Sequence, residues 1–316
     1  MTVCIAILCT ELKKLITVTA KLMSDPYGTI SVEGVEKHRF LSVIAPWVAS
    51  YSCDDSRTAV SILRRINKRI AELSPSPRTF AEVNAATPIA GDEIIKVCEE
   101  AYETELLKIY EMEILHPYGM TRDQFFEYGR ARFTEAQFTE IVQSIKDAHT
   151  GVTLMVAGFE SDGVGRIFEI SPLGVAKEQP LKYHAIGAGS VLALSALYPL
   201  GEFYDSNQLN EIVYRACAAK FNAENAPSVG ENTYLFVQEK GGMKISMLWE
   251  DDSDPIEKLR KIWKTSGQPP IPGSAKKHLT THLKAFDLER LFKAVEVGRT
   301  RNEGVKDDAE RQDAGT

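Results

Sequence analysis

Blocks of strands alternate with blocks of helices along this chain, and that order limits the folds open to it. Val3 to Leu8 is apolar and β-branched, the pattern of a buried strand. Thr10-Glu11-Leu12-Lys13-Lys14 is a polar hairpin tip, and Leu15 to Ala20 is the returning strand. Turns at Asp25-Pro26-Tyr27-Gly28 and at Gly34, then apolar runs at Phe40 to Ile44 and Trp47 to Tyr51, complete an opening meander. Helices follow. Ser56 to Leu73 sets Val60, Leu63, Ile66 and Ile70 on one face, with either Asp54 or Asp55 placed to cap it. Asp92 to Leu115 repeats Ile95, Cys98, Tyr102, Leu106 and Ile109, until His116-Pro117-Tyr118-Gly119 breaks the period. Thr121 precedes Gln124 at capping-box spacing and opens a short helix to Tyr128; Thr134 to Ala148 is a further amphipathic helix.

Strands return at Thr153 to Phe159 and Gly165 to Ser171 around the hairpin signal Ser161-Asp162-Gly163, with short ones at Val175 to Lys177 and Tyr183 to Ile186. Helices over Ser190 to Tyr198 and Asn207 to Asn222 precede a hairpin of Tyr234 to Gln238 with Lys244 to Met247. Strands, helices, strands, helices, strands is satisfied by an α/β (α+β) fold in which two antiparallel sheets stack and helices cover both outer faces. That is a four-layer αββα sandwich. The expected organisation is a main domain over 2–250 with a helical insertion at about 78–150. A helical extension over 251–297 follows, with helices at Pro255 to Trp263 and Leu279 to Val297 about a Pro/Gly linker at Thr265 to Ser274. The polar tail, 298–316, is expected to be disordered.

Composition excludes several classes of function. Net charge is -7, which argues against broad nucleic-acid binding through clustered Lys and Arg. Cys4, Cys9, Cys53, Cys98 and Cys217 form no CxxC, and no His stands at finger spacing from them, so neither a metal nor a cofactor is expected. No stretch reaches the length of a membrane span, the first residues lack the basic region of a signal peptide, and scattered thiols fit a reducing compartment. The expected location is cytoplasmic. Gly187-Ala188-Gly189 fits no phosphate-binding motif and reads as a tight strand-to-helix turn; His184 reads as a structural histidine.

Several segments, in order, resemble the proteasome β-type subunits of the N-terminal-nucleophile (Ntn) hydrolases, as a diverged bacterial-type relative. They are Met1-Thr2-Val3-Cys4-Ile5-Ala6, Leu15 to Met23, Glu36-Lys37 and Ser50-Tyr51-Ser52-Cys53-Asp54-Asp55. Leu154 to Gly158 with Ile167 to Ser171 and Gly174, and Ala185-Ile186-Gly187-Ala188-Gly189-Ser190, complete the set. The resemblance spans roughly residues 2 to 248. It implies a threonine hydrolase that cleaves amide bonds, those of peptides above all, with Thr2 as nucleophile once a methionine aminopeptidase has removed Met1. The freed α-amine, with a pKa of about 8, is the base. Lys37 is implied as the lysine whose charge lowers the nucleophile's pKa, and the backbone N–H of Tyr51 as the oxyanion donor. Assembly into a homo-oligomer or ring is implied too.

The chain departs from the family at the supporting positions. Lys21 stands where the family has an acid that pairs with the catalytic lysine, and Ala188 replaces a serine that positions the amine. A later acid and serine correspond to Asn225 and Ser228, unless Glu224 fills the acid's place through a shifted register. Three readings follow: a hydrolase of weak activity, a catalytically inactive structural or peptide-binding subunit, or an amidase that uses a desolvated Lys21 as its base outside the threonine scheme. A salt-bridging acid such as Glu36, Asp54 or Asp55 near Lys21 would favour the active reading.

Overall fold

The computed structural model describes residues 2–10, 12–20, 22–24, 31–33, 38–41, 47–73, 89–198, 209–227, 229–239, 244–248, 255–266, 272–282 and 286–287. Strands β1 (Cys4–Cys9) and β2 (Lys14–Ala20) form the expected hairpin, and both are buried almost throughout. They lie inside a six-stranded antiparallel sheet of order β10-β1-β2-β11-β12-β13, where β10 is Tyr183–Ile186, β11 is Thr233–Glu239, β12 is Lys244–Leu248 and β13 is Phe286–Asp287. A second antiparallel sheet runs β5-β6-β7-β8-β9, from His38–Phe40 through Val48–Cys53, Val152–Phe159 and Gly165–Ile170 to Ala176–Glu178. A small ribbon pairs β3 (Leu22–Ser24) with β4 (Ser31–Glu33).

Side-chain alternation sorts the strands into layers. In β1, Cys4, Ala6 and Leu8 face the second sheet and meet Val48, Met155, Ala157, Phe159 and Ile167. Val3, Ile5, Ile7 and Cys9 face the other way, onto helices α5 (Ser190–Leu197) and α6 (Leu209–Ala223). The second sheet repeats the division. Val48 looks inward, while Ala49, Tyr51 and Cys53 look outward onto helices α1 (Ser56–Leu73) and α2 (Gly91–Ile109). Helix, sheet, sheet, helix is the resulting stack.

Asp55 caps α1 by accepting from the Arg57 and Thr58 amides and the Thr58 hydroxyl. The buried face of α1 is Ala59, Ile62, Leu63, Ile66 and Ile70; Val60, expected on that face, points outward at 41% exposure. After α2 the chain winds a π turn (Tyr110–Leu115) and a single 3-10 turn before α3 (Arg122–Arg132) and α4 (Glu135–Asp147). Both helices start with the reciprocal Thr–Gln capping box, at Thr121 and Thr134. Leu115, Met120, Phe125, Phe138 and Ile141 give this helical hairpin a small core of its own.

The C-terminal reading needs correction. A helix spans Gly273–His282, where a linker and then a later helix were expected, and Phe286–Asp287 pairs as β13 with Lys244 and Ile245. With α7 (Pro255–Ser266), this helix, α8, buries Ile256, Leu259, Ala275 and Leu279 in the same core as α6. Ala275 and Leu279 are four apart, so one turn of α8 sets both against its neighbours.

Candidate functional site

Thr2 stands two residues before β1 and is fully buried. The β1–β2 ladder continues past the strand's end, because the Ala20 amide donates to the Val3 carbonyl at 3.0 Å. Val3 faces the helices and Cys4 faces the opposite sheet, so the alternation carries Thr2 to the inter-sheet side. Its hydroxyl lies 3.5 Å from the Val3 carbonyl.

The turn between β10 and α5 holds the Thr2 main chain. Gly187 has φ +94°, and a Cβ on it would lie 2.2 Å from the Thr2 carbonyl oxygen and 3.2 Å from Ser52 Oγ. Thr2 and Ser52 therefore converge on one point that only glycine leaves free. The Gly189 amide donates to the Thr2 carbonyl at 3.4 Å. A Cβ on Gly189 would meet Ala223, Val229 and Val3 at 2.9, 3.0 and 3.1 Å. The glycines of Gly187-Ala188-Gly189 thus fit a close backbone approach to Thr2.

The second sheet closes the other side. The Cys4 thiol contacts the Tyr51 carbonyl at 3.5 Å, which joins β1 to β6 just beyond Thr2. The Tyr51 ring is buried on the helix side, so the residue offers the inter-sheet layer its main chain alone. Cys4 pairs across the hairpin with Thr19, and Thr19 with Tyr234. The Thr19 hydroxyl is fully buried and has no hydrogen-bond partner among the described residues.

Of the remaining expected site residues, Ala188 and Asn225 are described. Ala188 is exposed at the crest of its turn, and Asn225 is exposed with its side-chain amide on the Asn222 carbonyl at 3.0 Å. Lys21, Lys37 and Ser228 lie outside the described residues, as does Glu36. Asp55 is committed to capping α1. Glu224 is taken by two buried cations: Lys220 Nζ lies 2.5 Å from it and Arg260 Nη2 3.2 Å. His184 pairs with Glu169 at 2.5 Å, as a structural histidine would.

Ser52, Thr19 and the Lys220–Arg260 pair were not foreseen as neighbours of the site. Strand parity could have flagged Ser52, which alternates with Tyr51; Lys220 and Glu224 stand at ion-pair helical spacing. Among the described residues, no group of three or more His, Cys, Asp or Glu could hold a metal ion, and no helix is long and apolar enough to cross a membrane. An open groove of about 480 Å³ lies against α2, with Lys96, Glu99, Glu103, Tyr110, Arg122 and Leu173 around it; none of the expected site residues lines it.

No protein-family model matches the sequence, and no curated protein matches it. Among solved structures the fold is similar to that of the Anbu (Gly-1) mutant from Hyphomicrobium sp. strain MC1, with a TM-score of 0.56 at 12% identity over 84% of this chain and 96% of that one. That likeness shows a distant relationship of fold.

Proposed function

We propose that this chain is an Ntn-type threonine hydrolase of the proteasome-β-like kind, cleaving amide bonds of peptides with Thr2 after loss of Met1, at a low rate. The observation that carries the reading is the seating of Thr2. It heads a strand paired on both sides, turns to the inter-sheet layer, and has its carbonyl fixed by Gly187 and Gly189. Likeness of fold to the Anbu (Gly-1) mutant supports it.

In this scheme the Thr2 α-amine takes the hydroxyl proton while Oγ attacks the scissile carbonyl. The oxyanion accepts from the Tyr51 backbone N–H, a donor worth about 3–4 kcal/mol in such sites. The intermediate collapses, the C–N bond breaks, and the leaving amine takes the proton from the α-ammonium. Water then hydrolyses the ester on Thr2 with the amine again as base. Lys37 tunes the nucleophile by its charge, and Lys21, in place of an acid, opposes it. Two ammonium groups about 4 Å apart repel by about 4 kcal/mol at an effective dielectric near 20, less where solvent enters. The rate is low for that reason.

The test is intact mass to establish loss of Met1, then labelling with a threonine-directed epoxyketone or β-lactone. Wild type should label slowly, Lys21→Asp faster, and Thr2→Ala not at all. Fast wild-type turnover that Lys21→Asp slows would make Lys21 part of the machinery and refute the scheme. The second reading, an inactive proteasome-like subunit, draws on Ala188 and Asn225, which offer neither hydroxyl nor carboxylate, and on Glu224, which is held elsewhere. It gains if protein lacking Met1 stays unlabelled in every background. Both readings carry self-association through the sheet-flanking helices and a cytoplasmic location.

A further inference from the structure

A lysine without any exposure needs partners, because burial strips its ammonium of water. Lys220, near the end of α6, is held among the described residues by Glu224 at 2.5 Å, the Gly230 carbonyl at 2.7 Å and the Glu231 carbonyl at 3.2 Å. An ammonium has three N–H donors, so this set can occupy each of them. Arg260 of α7 comes to the same place at 4% exposure. It bonds Glu224, Glu257 and the Glu231 carbonyl, and its guanidinium lies over the Phe221 ring, 5.0 Å from the centroid.

The two cations thus grip the turn after α6 at both ends, by Glu224 at its start and by the Gly230 and Glu231 carbonyls at its finish. What they hold sits directly beneath the site. Ala223 and Val229, with Val3, are the residues that a Cβ on Gly189 would meet, and the Gly189 amide donates to the Thr2 carbonyl. Asn222 adds a bond to the Leu192 carbonyl at 2.9 Å, which ties the same helix end to α5 just past the glycine turn.

We propose that Lys220 and Arg260 are positioning residues for Thr2: their shared grip on Glu224, Gly230 and Glu231 seats Ala223 and Val229 on Gly189, and so makes α7 a working part of the Thr2 site. This rests on the reading of Thr2 as the nucleophile. The hydroxyl must meet its target within a fraction of an ångström, and displacement by about 1 Å costs about a hundredfold in rate. The clamp acts on orientation, so its loss lowers the rate of the bond-forming step and leaves reagent binding alone.

The experiment uses full-length protein lacking Met1, a threonine-directed β-lactone, and the variants Arg260→Met, Arg260→Lys and Glu257→Gln. The inactivation rate constant and the reagent's binding constant are measured separately and expressed per folded molecule; exchange of the Gly189 amide is followed in parallel. Arg260→Met should lose about a hundredfold in the rate constant with binding unchanged, and Gly189 should exchange faster. Arg260→Lys should recover part of the loss. Glu257→Gln, which removes only the half-exposed partner, should lose less and covers the case in which Arg260→Met does not fold. Wild-type rate constants and Gly189 exchange in folded variants would overturn the clamp and leave the nucleophile intact. Failure of wild type to label would overturn the nucleophile reading and the clamp's role with it.

Discussion

Gly187→Ala tests how tightly the Thr2 main chain is held. Gly187 lies at φ +94°, where an alanine pays for its Cβ even in open space. Here the space is not open, since the new Cβ would stand 2.2 Å from the Thr2 carbonyl oxygen and 2.9 Å from its carbon. Both are main-chain atoms of the residue that leads into a strand paired on each side, so no side chain can swing aside. Left-handed backbone costs roughly 1–2 kcal/mol and forced overpacking about 1–3, so the loss should be roughly 2–5 kcal/mol. Gly119 supplies the control: φ is +64° there, and a Cβ would meet nothing within 4 Å. Gly119→Ala should therefore lose only the backbone part, roughly 1–2 kcal/mol. Urea unfolding midpoints with unchanged m values measure both. Equal losses in the two variants would refute the argument, because the Thr2 carbonyl could not then lie against Gly187.

Three further outcomes follow from contacts away from that turn. Asp55→Ala should cost about 1 kcal/mol at neutral pH by uncapping α1. Slight burial raises the Asp55 pKa, but the Arg57 and Thr58 donors outweigh it and hold the carboxyl below its ordinary value. The cap's contribution is thus present above the unfolded pKa and lost as pH falls through the folded one, so variant and wild type should converge in acid; a gap that persists at low pH would refute this. Burial pushes the Cys9 and Cys217 thiols up to about 12, and all five cysteines are buried. A thiol reagent at pH 8 should react with the folded protein negligibly and with five groups in denaturant, whereas rapid native reaction would contradict the packing. Phe125→Ala should cost about 3–5 kcal/mol in the helical hairpin, and amide exchange should show lost protection over 110–147 while the sandwich stays protected.

Much of the fold was legible because local patterns and tertiary burial agreed. Helix α1 has the bounds read for it, and β1 and β2 differ from their expected limits by a residue or so. Agreement broke where a pattern had two solutions. Val60 is apolar, but Ala59, Ile62, Leu63 and Ile66 hold the i, i+3, i+4, i+7 spacing that buries on the sheet, and Val60 lies one position beside that stripe. Near the C-terminus, prolines and glycines hid the start of α8, and β13 exists only through pairing with β12, a partner some forty residues earlier in the chain. Such pairing leaves no local periodicity to read.

The site divides in the same way, along the line between side-chain and main-chain information. The place of Thr2 ahead of the first strand and the glycine turn packed on it were legible because apolar strand pattern and glycine are themselves the signal. Lys220 carried a different one, since a lysine four residues before a glutamate ordinarily reads as a solvated pair on a wet face. The fold buries it instead, because the chain beyond α6 turns back and brings the Gly230 and Glu231 carbonyls within reach. Several contacts around Thr2 have that character. The Thr2 carbonyl accepts from Gly189, the Tyr51 carbonyl from Cys4, and the Glu231 carbonyl from both Lys220 and Arg260. Main-chain atoms are the same at each position, so sequence tells only where glycine lets them approach, and the partners they meet are set by the stacking of the two sheets.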